Sequence, residues 1–491
     1  MSGYFPDHTR ALLTMLHTIA GEQGVQLFLS GGAVRDLLRG RTAPHDIDIT
    51  IAGGARAFLA QVHSRLGRGA LVDLGEEQDD TCRLALPEVD IDVSGFRGGA
   101  STIEADLGKR DFTINAMAMA MEALLPATLL RENLIDPLGG YDDLHAGIVR
   151  ACPGAFVDDP LRLLRAYRFS ATLGFAIEAH TRTEIVKYAS LIRRSAAERV
   201  GSELDLIMAS GRAGAALAEL ADTPLFAYLL PELAAGEAVS QPPFHHLDVL
   251  SHCIETVCNA ELIMAAPRRY FQRHGSAMEE WLADADNRLA LVWAAFLHDI
   301  GKPFVKKGGT DGEPITFYNH DEHGASLVVR CGSRLRWSNQ LRDRVAALVR
   351  RHMHPFHLLA VQAKEGAISK RAALRLCRRA GAELSGLFMV ALADCLAGRG
   401  PARPAGLEDA LVKLYADFIQ LFQQQVKPTL ARPRLLTGHD LIDTIGLKPG
   451  PLFTELLDKA ELATLEGIIT TRREALDWVR GELNKDNGQS G

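Results

Sequence analysis

The pattern of apolar and polar residues changes character near residue 155. Before it, short apolar or alternating runs predict strands at residues 25–30 (VQLFLS), 45–52 (HDIDITIA) and 89–96 (VDIDVSGF), and residues 53–66 have the spacing of a helix. After it, apolar residues recur every three or four positions, as in residues 161–174 (LRLLRAYRFSATLG), which is typical of amphipathic helices. The pattern therefore predicts the α+β class, with a mixed first part and a mainly helical remainder.

Length and turn-forming residues indicate several domains. A chain of 491 residues is longer than one ordinary core requires, and prolines cluster at residues 242–244 and 400–406. We expect four domains, at residues 1–150, 151–235, 236–400 and 401–491.

Charge and composition narrow the partners and the compartment. Lys plus Arg is 54 and Asp plus Glu is 61, a net charge of −7, so an RNA partner would have to contact local basic patches. The clearest basic patch consists of Lys370, Arg371, Arg375, Arg378 and Arg379. The same residues are equally compatible with a solvated helix face.

Seven cysteines without a CxxC pair indicate reduced thiols. Because no apolar run approaches the roughly 18 residues of a membrane span and the amino terminus lacks an export signal, we expect a cytoplasmic protein without a membrane partner.

The first candidate site is the run LFLSGGAVRDLLRG followed by PHDIDIT. It predicts a strand, a Gly-Gly turn, a helix start and a second strand that carries Asp46 and Asp48. Carboxylates two positions apart on a strand share one face, and close carboxylates repel each other unless a divalent cation lies between them. A third acid would come from the later strand, where Asp92 and Asp90 share a face and either could reach the metal.

These residues suit phosphate chemistry. Oxygen ligands favour hard cations, so Mg²⁺ is the expected metal, and a pair of such ions suits in-line displacement at a nucleotide α-phosphate. The backbone N–H groups of Gly31 and Gly32 lie just before the predicted helix and can hold phosphates, with Arg35 nearby for charge. These residues predict a nucleotide site with two Mg²⁺ ions, and the alternative that they leave open by themselves is a solvated pair of acids at the edge of the sheet.

Five motifs follow one another between residues 31 and 169: GGAVRD, DID, an acid on a strand, KRDFTINAMA and DDPLRLLRAYRF. This succession resembles the class II CCA-adding tRNA nucleotidyltransferases and their bacterial poly(A) polymerase relatives. The resemblance implies a nucleotidyltransferase head of the polymerase beta type on a small mixed sheet, followed by an all-α neck. It also implies template-independent extension of the tRNA 3′ end from CTP and ATP.

The resemblance implies roles for individual residues. The matched positions are Asp46, Asp48 and Asp92 for metal binding and catalysis, Arg110, Asp111 and Asn115 for the triphosphate and ribose, and Asp159 and Arg162 for reading the incoming base. An acid and a guanidinium three residues apart share one face of a helix. Arg165 and Arg168 continue the interval and would contact phosphate or form structural ion pairs. The family usually has Glu immediately before the aspartate that Asp159 matches, whereas this chain has Asp158 there.

Two features leave the product open. Only 17 residues separate Asp92 from Arg110, which is shorter than the loop that in the family helps to switch the pocket from CTP to ATP, so an enzyme that adds only CC is an alternative. A poly(A) polymerase is another. Such relatives place an arginine-rich strand where this chain has the acidic residues 75–86 (GEEQDDTCRLAL), which favours tRNA as the substrate.

A second candidate site extends over residues 244–397, in the segments FHHLDVLSHCIETV, FLHDIGKP, FYNHDEHGA, VRRHMHPF and ALADCLA. His298 and Asp299 end an apolar helix, and a buried His–Asp pair requires a partner such as a cation. With His252 and Asp394 the segments resemble HD-domain phosphohydrolases. The extra ligands of binuclear members are matched by His320 and His352.

The second resemblance implies hydrolysis of a phosphoester by metal-bound hydroxide. Some CCA-adding enzymes with this domain act on 2′,3′-cyclic phosphates and 2′-nucleotides. Imidazole and carboxylate ligands suit Mn²⁺, Ni²⁺, Fe²⁺ or Mg²⁺, and the sequence does not choose among them. The last part of the chain resembles the helical tail of family members with an HD domain, which implies a support for tRNA.

Two functions from other classes compete with this interpretation. One is an HD phosphohydrolase whose head only binds a nucleotide, and the other is a non-catalytic RNA-binding module. The complete set of Asp46, Asp48 and Asp92 disfavours both, and the acidic net charge disfavours the second.

Overall fold

A computed structural model of the chain describes residues 5–40, 46–74, 80–124, 131–309 and 313–488. Its internal contacts define two compact units, Met1–Ile207 with Glu219–Leu229 and Met208–Ala218 with Leu230–Gly491. Residues 75–79 of the acidic segment lie outside the described residues. The division into four domains stays a prediction.

The first unit is built on a mixed sheet. In the described part of the chain its strands are β1 (Phe28–Ser30), β2 (Asp46–Ile51), β3 (Ala70–Asp73), β4 (Thr81–Ala85), β5 (Asp90–Gly95), β6 (Ala118–Ala120) and β7 (Leu134–Ile135). Their order is β3-β4-β5-β2-β1-β6-β7, in which β2 and β5 run parallel and the other neighbours run antiparallel. A separate parallel pair joins β8 (Ile148–Val149) to β9 (Ala176–Ile177). The predicted small mixed sheet is confirmed.

Strand β2 shows how the sequence divides the sheet into a core face and a polar face. Ile47, Ile49 and Ile51 are at most 1% exposed, and burying each such side chain contributes about 1.5–3 kcal/mol. Because successive residues of a strand point to opposite faces, Asp46 and Asp48 lie together on the other face. The hydrophobic alternation of one strand thus places the two carboxylates side by side.

Helices make up most of the remaining chain. They are α1 (Asp7–Gln23), α2 (Gly32–Leu38), α3 (Ala55–Leu66), α4 (Ile103–Leu107), α5 (Met121–Leu124), α6 (Gly140–Ala146), α7 (Ala155–Asp158), α8 (Arg162–Leu173), α9 (Ala179–Tyr188), α10 (Ala197–Met208), α11 (Ala213–Ala221), α12 (Pro224–Leu229), α13 (Pro231–Ala234), α14 (Val249–Ala265), α15 (Pro267–Phe271), α16 (Gly275–Leu282), α17 (Ala285–Leu297), α18 (Lys302–Val305), α19 (His320–Arg334), α20 (Asn339–Arg351), α21 (His354–Glu365), α22 (Lys370–Ala380), α23 (Leu384–Ala397), α24 (Leu407–Leu421), α25 (Lys427–Leu430), α26 (Gly438–Asp443), α27 (Pro451–Leu465) and α28 (Arg472–Gly488). The predicted helical remainder is confirmed.

The second unit has its core where α14, α17, α20 and α23 pack together. Helices α17 and α23 are buried on nearly all sides over much of their length, as expected of helices that are apolar all round. Polar N-cap side chains begin three of these core helices, Asp248 before α14, Asp284 before α17 and Ser338 before α20.

The stretch Lys370–Ala397, which contains α22 and α23, is the one continuous stretch among the described helices that is long and apolar enough by composition to cross a membrane. Val249–Ala265 and Pro267–Leu282 meet that criterion only when taken together, and they are bent by 92°. Because 78% of the apolar window in Lys370–Ala397 is buried inside the structure, its composition is that of a core helix.

Candidate functional sites

A cleft of about 1150 Å³ opens in the first unit, on the polar face of the sheet. Every residue that the sequence predicts for the nucleotide site lines this cleft. They are Gly31, Gly32, Arg35, Asp46, Asp48, Asp92, Arg110, Asp111, Asn115, Asp159, Arg162, Arg165 and Arg168. We refer to it as the head cleft.

Strand pairing decides how the acids meet. The parallel register places Asp48 opposite Asp92 and Asp46 opposite Asp90, and of the two candidates for the third acid only Asp92 lines the cleft. Burial raises the pKa of Asp48, Arg110 lowers it in part, and the carboxylates of Asp92 and Asp46 raise it further. A divalent cation between these acids would stabilise their ionised forms, so the donor set fits hard metal ions.

An arginine that the sequence analysis missed contacts these acids. Arg83 on β4 donates from Nε and Nη2 to the two oxygens of Asp92, at 2.7 and 2.8 Å, and from Nη1 to Asp90 at 2.9 Å. Its Nη2 also lies 3.9 Å from Asp46. The alternation of β4, in which Cys82 and Leu84 are buried, is the signal that would have placed Arg83 on the cleft face.

Arg110 holds the base of the cleft. Its Nη2 donates to Ser30 Oγ at 2.8 Å and to Thr50 Oγ1 at 2.9 Å, and it pairs with the fully buried Asp106. Burial lowers the pKa of Arg110 to about 10, helped by Arg97 and opposed by Asp106, so the guanidinium stays charged at neutral pH. Arg110 is thus a buried positive charge under the position where Gly31 passes.

Gly31 is required at that position. Its φ is +67°, and a Cβ there would lie 2.6 Å from Arg110 Nη1 and 3.4 Å from Asp48 Oδ2. Only glycine adopts this conformation without strain and leaves room for both groups. The Gly-Gly turn therefore brings backbone close to the acids and to Arg110, as a phosphate cradle requires.

Asp111 joins the cleft wall to the helical part of the unit. It accepts from Asn115 Nδ2 at 2.9 Å and from Arg165 at 2.6 and 3.0 Å. Asn115 Oδ1 in turn accepts from Arg35 at 2.7 Å. The buried Glu203 of α10 pairs with Arg165 at 3.0 Å and with Arg168 at 2.8 Å. It is a second residue that the sequence analysis missed. Arg165 and Arg168 therefore form structural ion pairs, one of the two roles predicted for them.

The expectation that Asp159 and Arg162 lie on one helix is wrong. Helix α7 ends at Asp158 and α8 begins at Arg162, because Pro160 between them disfavours helical backbone at the preceding residue, and Asp159 has φ −141°. Both side chains still line the head cleft.

These two side chains already have partners. Asp159 Oδ2 accepts from Arg199 at 2.8 Å. Arg162 donates to the carbonyl oxygens of Lys109 and Arg110 at 3.0 and 3.2 Å. The pair is therefore held in place by the motif that precedes it and by α10.

The second site lies inside the second unit, where the ends and buried faces of five helices, α14, α17, α19, α20 and α23, meet. The predicted ligands are all buried and form two groups with close ligand atoms, His252 with His298 and Asp394, and Asp299 with His320 and His352. Among the described residues these are the groups of three or more such side chains whose ligand atoms all lie within 4.8 Å of one another before any metal binds. The three head carboxylates do not form such a group, and both oxygens of Asp92 accept from Arg83 instead.

Backbone carbonyls fix the direction of the imidazoles. The Nδ1 atoms of His298, His320 and His352 lie 2.7–2.9 Å from the carbonyl oxygens three residues earlier. A carbonyl can only accept, so Nδ1 carries a proton and Nε2 is the atom that faces the other ligands. The Nε2 atoms of His320 and His352 are 3.3 Å apart. Two Nε2 atoms at this distance need a proton or a metal ion between them, so the residues fit a divalent metal.

Asp299 supports the same conclusion. Neither of its oxygens has a hydrogen bond of normal geometry, although Lys302 Nζ lies 2.5 Å from Oδ2 as an ion pair. Burial lowers the pKa of His352 to about 3, together with the nearby His320 and His298. Burial alone would raise the pKa of Asp394, but its hydrogen bond with His252 holds it below the ordinary value. Neutral imidazole and ionised carboxylate are the forms that bind metal.

A pocket of about 520 Å³ opens onto this second site. Asp299, His320 and Asp394 reach it from the metal-ligand side, and Phe244 and Phe356 line it with aromatic surface. We refer to the metal-ligand cluster and this pocket together as the HD site.

The predicted basic patch is partly occupied within the second unit. Arg378 pairs with Asp458 and Glu461, and Arg371 pairs with Glu466 at 3.4 Å. Burial, together with nearby cations that include Arg379, lowers the pKa of Arg351. Contact of this patch with RNA stays a prediction.

Comparison with known proteins agrees with both sites. Residues 27–150 match the family described as the poly A polymerase head domain, residues 174–236 the probable RNA and SrmB-binding site of polymerase A, and residues 249–396 the HD domain. The chain is 33% identical to the A-adding tRNA nucleotidyltransferase of Deinococcus radiodurans, over 92% of this chain and 94% of the relative. It is 29% identical to the CC-adding tRNA nucleotidyltransferase of Thermus thermophilus, over 94% and 95%.

A solved structure shows the same fold. The Thermotoga maritima CCA-adding enzyme complexed with tRNA has a TM-score of 0.56 and 23% identity, over 97% of this chain and 96% of the other. At this identity the likeness is one of fold.

Proposed function

The chain belongs to the class II tRNA nucleotidyltransferases of the CCA-adding type and carries an HD domain, and we propose that it extends the 3′ end of tRNA with C and A residues from CTP and ATP, without a template. The observation that carries the proposal is the head cleft, in which acids, arginines and a Gly-Gly turn from distant motifs converge. The relatives named above act on tRNA, which supports tRNA as substrate. The cytoplasm, where thiols stay reduced, suits a chain with seven free cysteines.

Within this proposal Asp46, Asp48 and Asp92 would hold two Mg²⁺ ions, and these would supply positive charge for in-line displacement at the α-phosphate. The backbone of Gly31 and Gly32 and the side chain of Arg35 lie on the same cleft wall and hold the triphosphate. Arg110 contributes a buried positive charge beneath the turn. The parallel pairing of β2 with β5 supports these roles, because it brings Asp48 and Asp92 to neighbouring positions on the sheet.

The base is read by Asp159 and Arg162. A carboxylate accepts and a guanidinium donates, so the two together address the Watson–Crick edge of an incoming base. Their partners, Arg199 and the carbonyl oxygens of Lys109 and Arg110, fix their positions. A protein surface therefore takes the place of a nucleic-acid template.

The test is extension of tRNA transcripts that lack the 3′ CCA, with CTP alone, ATP alone and both together, resolved by product length. We expect three added residues with both nucleotides and two with CTP alone. The double variant Asp46→Asn, Asp48→Asn keeps the shape of both side chains and should add none. Extension by that variant would exclude the proposed centre, and long A tails on unrelated RNA would indicate a poly(A) polymerase instead.

A narrower specificity has its own support. The relative from Deinococcus radiodurans is A-adding and the one from Thermus thermophilus is CC-adding, and only 17 residues separate Asp92 from Arg110. Transcripts that end in CC distinguish the outcomes. A-only addition predicts extension of these transcripts with ATP and none of the shorter ones with CTP, whereas CC-only addition predicts the reverse.

We propose in addition that the HD site hydrolyses phosphoesters. His252, His298 and Asp394 would hold one divalent ion and Asp299, His320 and His352 a second, and bound metal supplies a hydroxide at neutral pH. The test is release of phosphate or opening of a 2′,3′-cyclic nucleotide, with Mn²⁺, Ni²⁺, Fe²⁺ or Mg²⁺ added in turn to chelator-treated protein. Undiminished turnover by an Asp299→Ala variant would exclude this site.

A further inference from the structure

Arg83 occupies a position that the proposed metal chemistry does not use. It lies on β4, its side chain is 31% exposed, and it lines the head cleft. Three of its nitrogen atoms face carboxylates, with Asp92 accepting twice and Asp90 once. The hydrogen bond with Asp92 is the main cause that raises the pKa of Arg83 above its ordinary value, so the guanidinium is charged at any pH at which the protein is folded.

Strand register produces this contact. The antiparallel pairing of β4 and β5 places Arg83 directly opposite Asp92, and the parallel pairing of β5 and β2 places Asp48 on the other side of Asp92. One cation therefore stands in a row of acids on the same face of the sheet. The other nearby cations, Arg97 and Arg110, are tied to Asp106.

The fork of Arg83 engages both oxygens of Asp92. Paired N–H groups that donate to both oxygens of a carboxylate form one of the stronger charge-assisted contacts in proteins. A divalent ion that coordinated Asp92 would share the carboxylate with a guanidinium of like charge, which is unfavourable at so short a separation. Metal and Arg83 are thus alternatives at Asp92.

We propose that Arg83 is a resident counter-cation which holds Asp92 in the free enzyme and is displaced from it when a divalent ion binds. The inference rests on the proposed role of Asp92 as a metal ligand. Arg83 weakens the binding of a metal ion that arrives without nucleotide, because the ion must break two hydrogen bonds. A triphosphate brings further ligands for the ion, and the released guanidinium remains at the wall of the same cleft, beside the negative charge of the phosphates.

The experiment is a titration of the full chain with Mn²⁺, followed by electron paramagnetic resonance and calorimetry in the absence of nucleotide. The HD site contributes to every isotherm, so the head component is identified as the part lost in Asp48→Asn. We expect Arg83→Gln to bind Mn²⁺ in the head cleft at least about tenfold more tightly than the original chain, a factor that corresponds to about 1.4 kcal/mol. The thermal midpoint of Arg83→Gln should also rise more on adding Mn²⁺.

Arg56→Gln is the matched control. Arg56 lies on α3 and pairs with Asp73 of β3 at 2.9 Å, outside the residues that line the cleft, so its loss should leave Mn²⁺ affinity unchanged. If Arg83→Gln does not fold, as judged by circular dichroism, Arg83→Lys keeps the charge without the fork and should bind Mn²⁺ with an intermediate affinity.

The outcomes separate the inference from the proposed function. If the head component is present and has the same Mn²⁺ affinity in the original chain and in Arg83→Gln, the proposed role of Arg83 is wrong and the proposed nucleotidyltransferase function is unaffected. No head component in any chain, together with tRNA extension by the Asp46→Asn, Asp48→Asn variant, overturns the proposed function itself.

Discussion

The substitution Asp111→Asn tests how the head cleft is held together. Asp111 is 8% exposed and is the acid through which Asn115 and Arg165 are connected. Asparagine keeps the size of the side chain and one carbonyl acceptor but removes the negative charge opposite Arg165. The variant therefore isolates the electrostatic part of the network.

The magnitude follows from the acidity of the group. Burial would raise the pKa of Asp111, but Arg165 and the hydrogen bonds from Asn115 and Arg165 hold it at about 2, against an ordinary value of 3.8. At about 1.36 kcal/mol per pKa unit this difference is worth roughly 2.4 kcal/mol of stability at neutral pH. Because the folded pKa lies below the unfolded one, the stabilisation is complete above about pH 5 and is lost as the pH falls through 3.8 towards 2. At pH 3 roughly 1.3 kcal/mol remains.

Hydrogen exchange followed by mass spectrometry is the suitable assay, because all the tryptophans, Trp281, Trp293, Trp337 and Trp478, lie in the second unit and do not report on the cleft. In peptides from residues 110–120 and 162–173 we expect exchange in Asp111→Asn to be about 60-fold faster at pH 7, the factor equivalent to 2.4 kcal/mol. The factor should shrink to roughly tenfold at pH 3.

The control substitution is Asp142→Asn. Asp142 pairs with Arg131 at 2.9 Å, and both side chains are largely exposed, so the pair contributes close to nothing. Less than threefold faster exchange in Asp111→Asn at pH 7, or an equal effect of both substitutions, would refute the reasoning. So would a difference that grows on acidification.

Two further predictions concern the turn and the HD site. Gly31→Ala should abolish tRNA extension and lower the thermal midpoint, because its Cβ would lie 2.6 Å from Arg110 Nη1. Gly54→Ala is the control, since Gly54 has a similar positive φ but nothing within 4 Å of the added Cβ. It should lower the free energy of unfolding by only about 1 kcal/mol and keep activity. Removal of metal by a chelator should lower the tryptophan-monitored midpoint, and metal at about 100 times its dissociation constant should restore about 2.7 kcal/mol. The restoration should be absent in His352→Ala, and a full restoration there would contradict the assignment of His352 as a ligand.

The local parts of the fold were predictable, and the long-range ones were not. The alternation that places Asp46 and Asp48 on one face is a property of a single strand, so it was correct from the sequence. Which of Asp90 and Asp92 reaches the cleft depends on the register between β2 and β5, which local pattern does not determine. Strand β3 was missed because all four of its residues are exposed and show no alternation.

Charge partners were the hardest to predict. Glu203 lies 38 residues beyond Arg165 in the sequence, and nothing local links the two. The break at Pro160 was different, since proline and the residue before it disfavour helical backbone, and this signal was in the sequence. The prediction that Asp159 and Arg162 share one helical face rested on their three-residue interval and overlooked Pro160 between them.

The two sites should differ in how they keep their metal. In the head cleft solvent reaches the acids through Asp46, whose side chain is 64% exposed, and under the inference above Arg83 supplies a protein cation that can take the place of an ion at Asp92. In the HD site the imidazoles of His252 and His352 are fully buried, and carbonyl oxygens fix the rings of His298 and His352, so solvent reaches these ligands poorly and the ligand set stays in place whenever a metal leaves. Head ions should therefore exchange with each nucleotide, whereas the HD ions should remain through many turnovers and leave only slowly when a chelator is added.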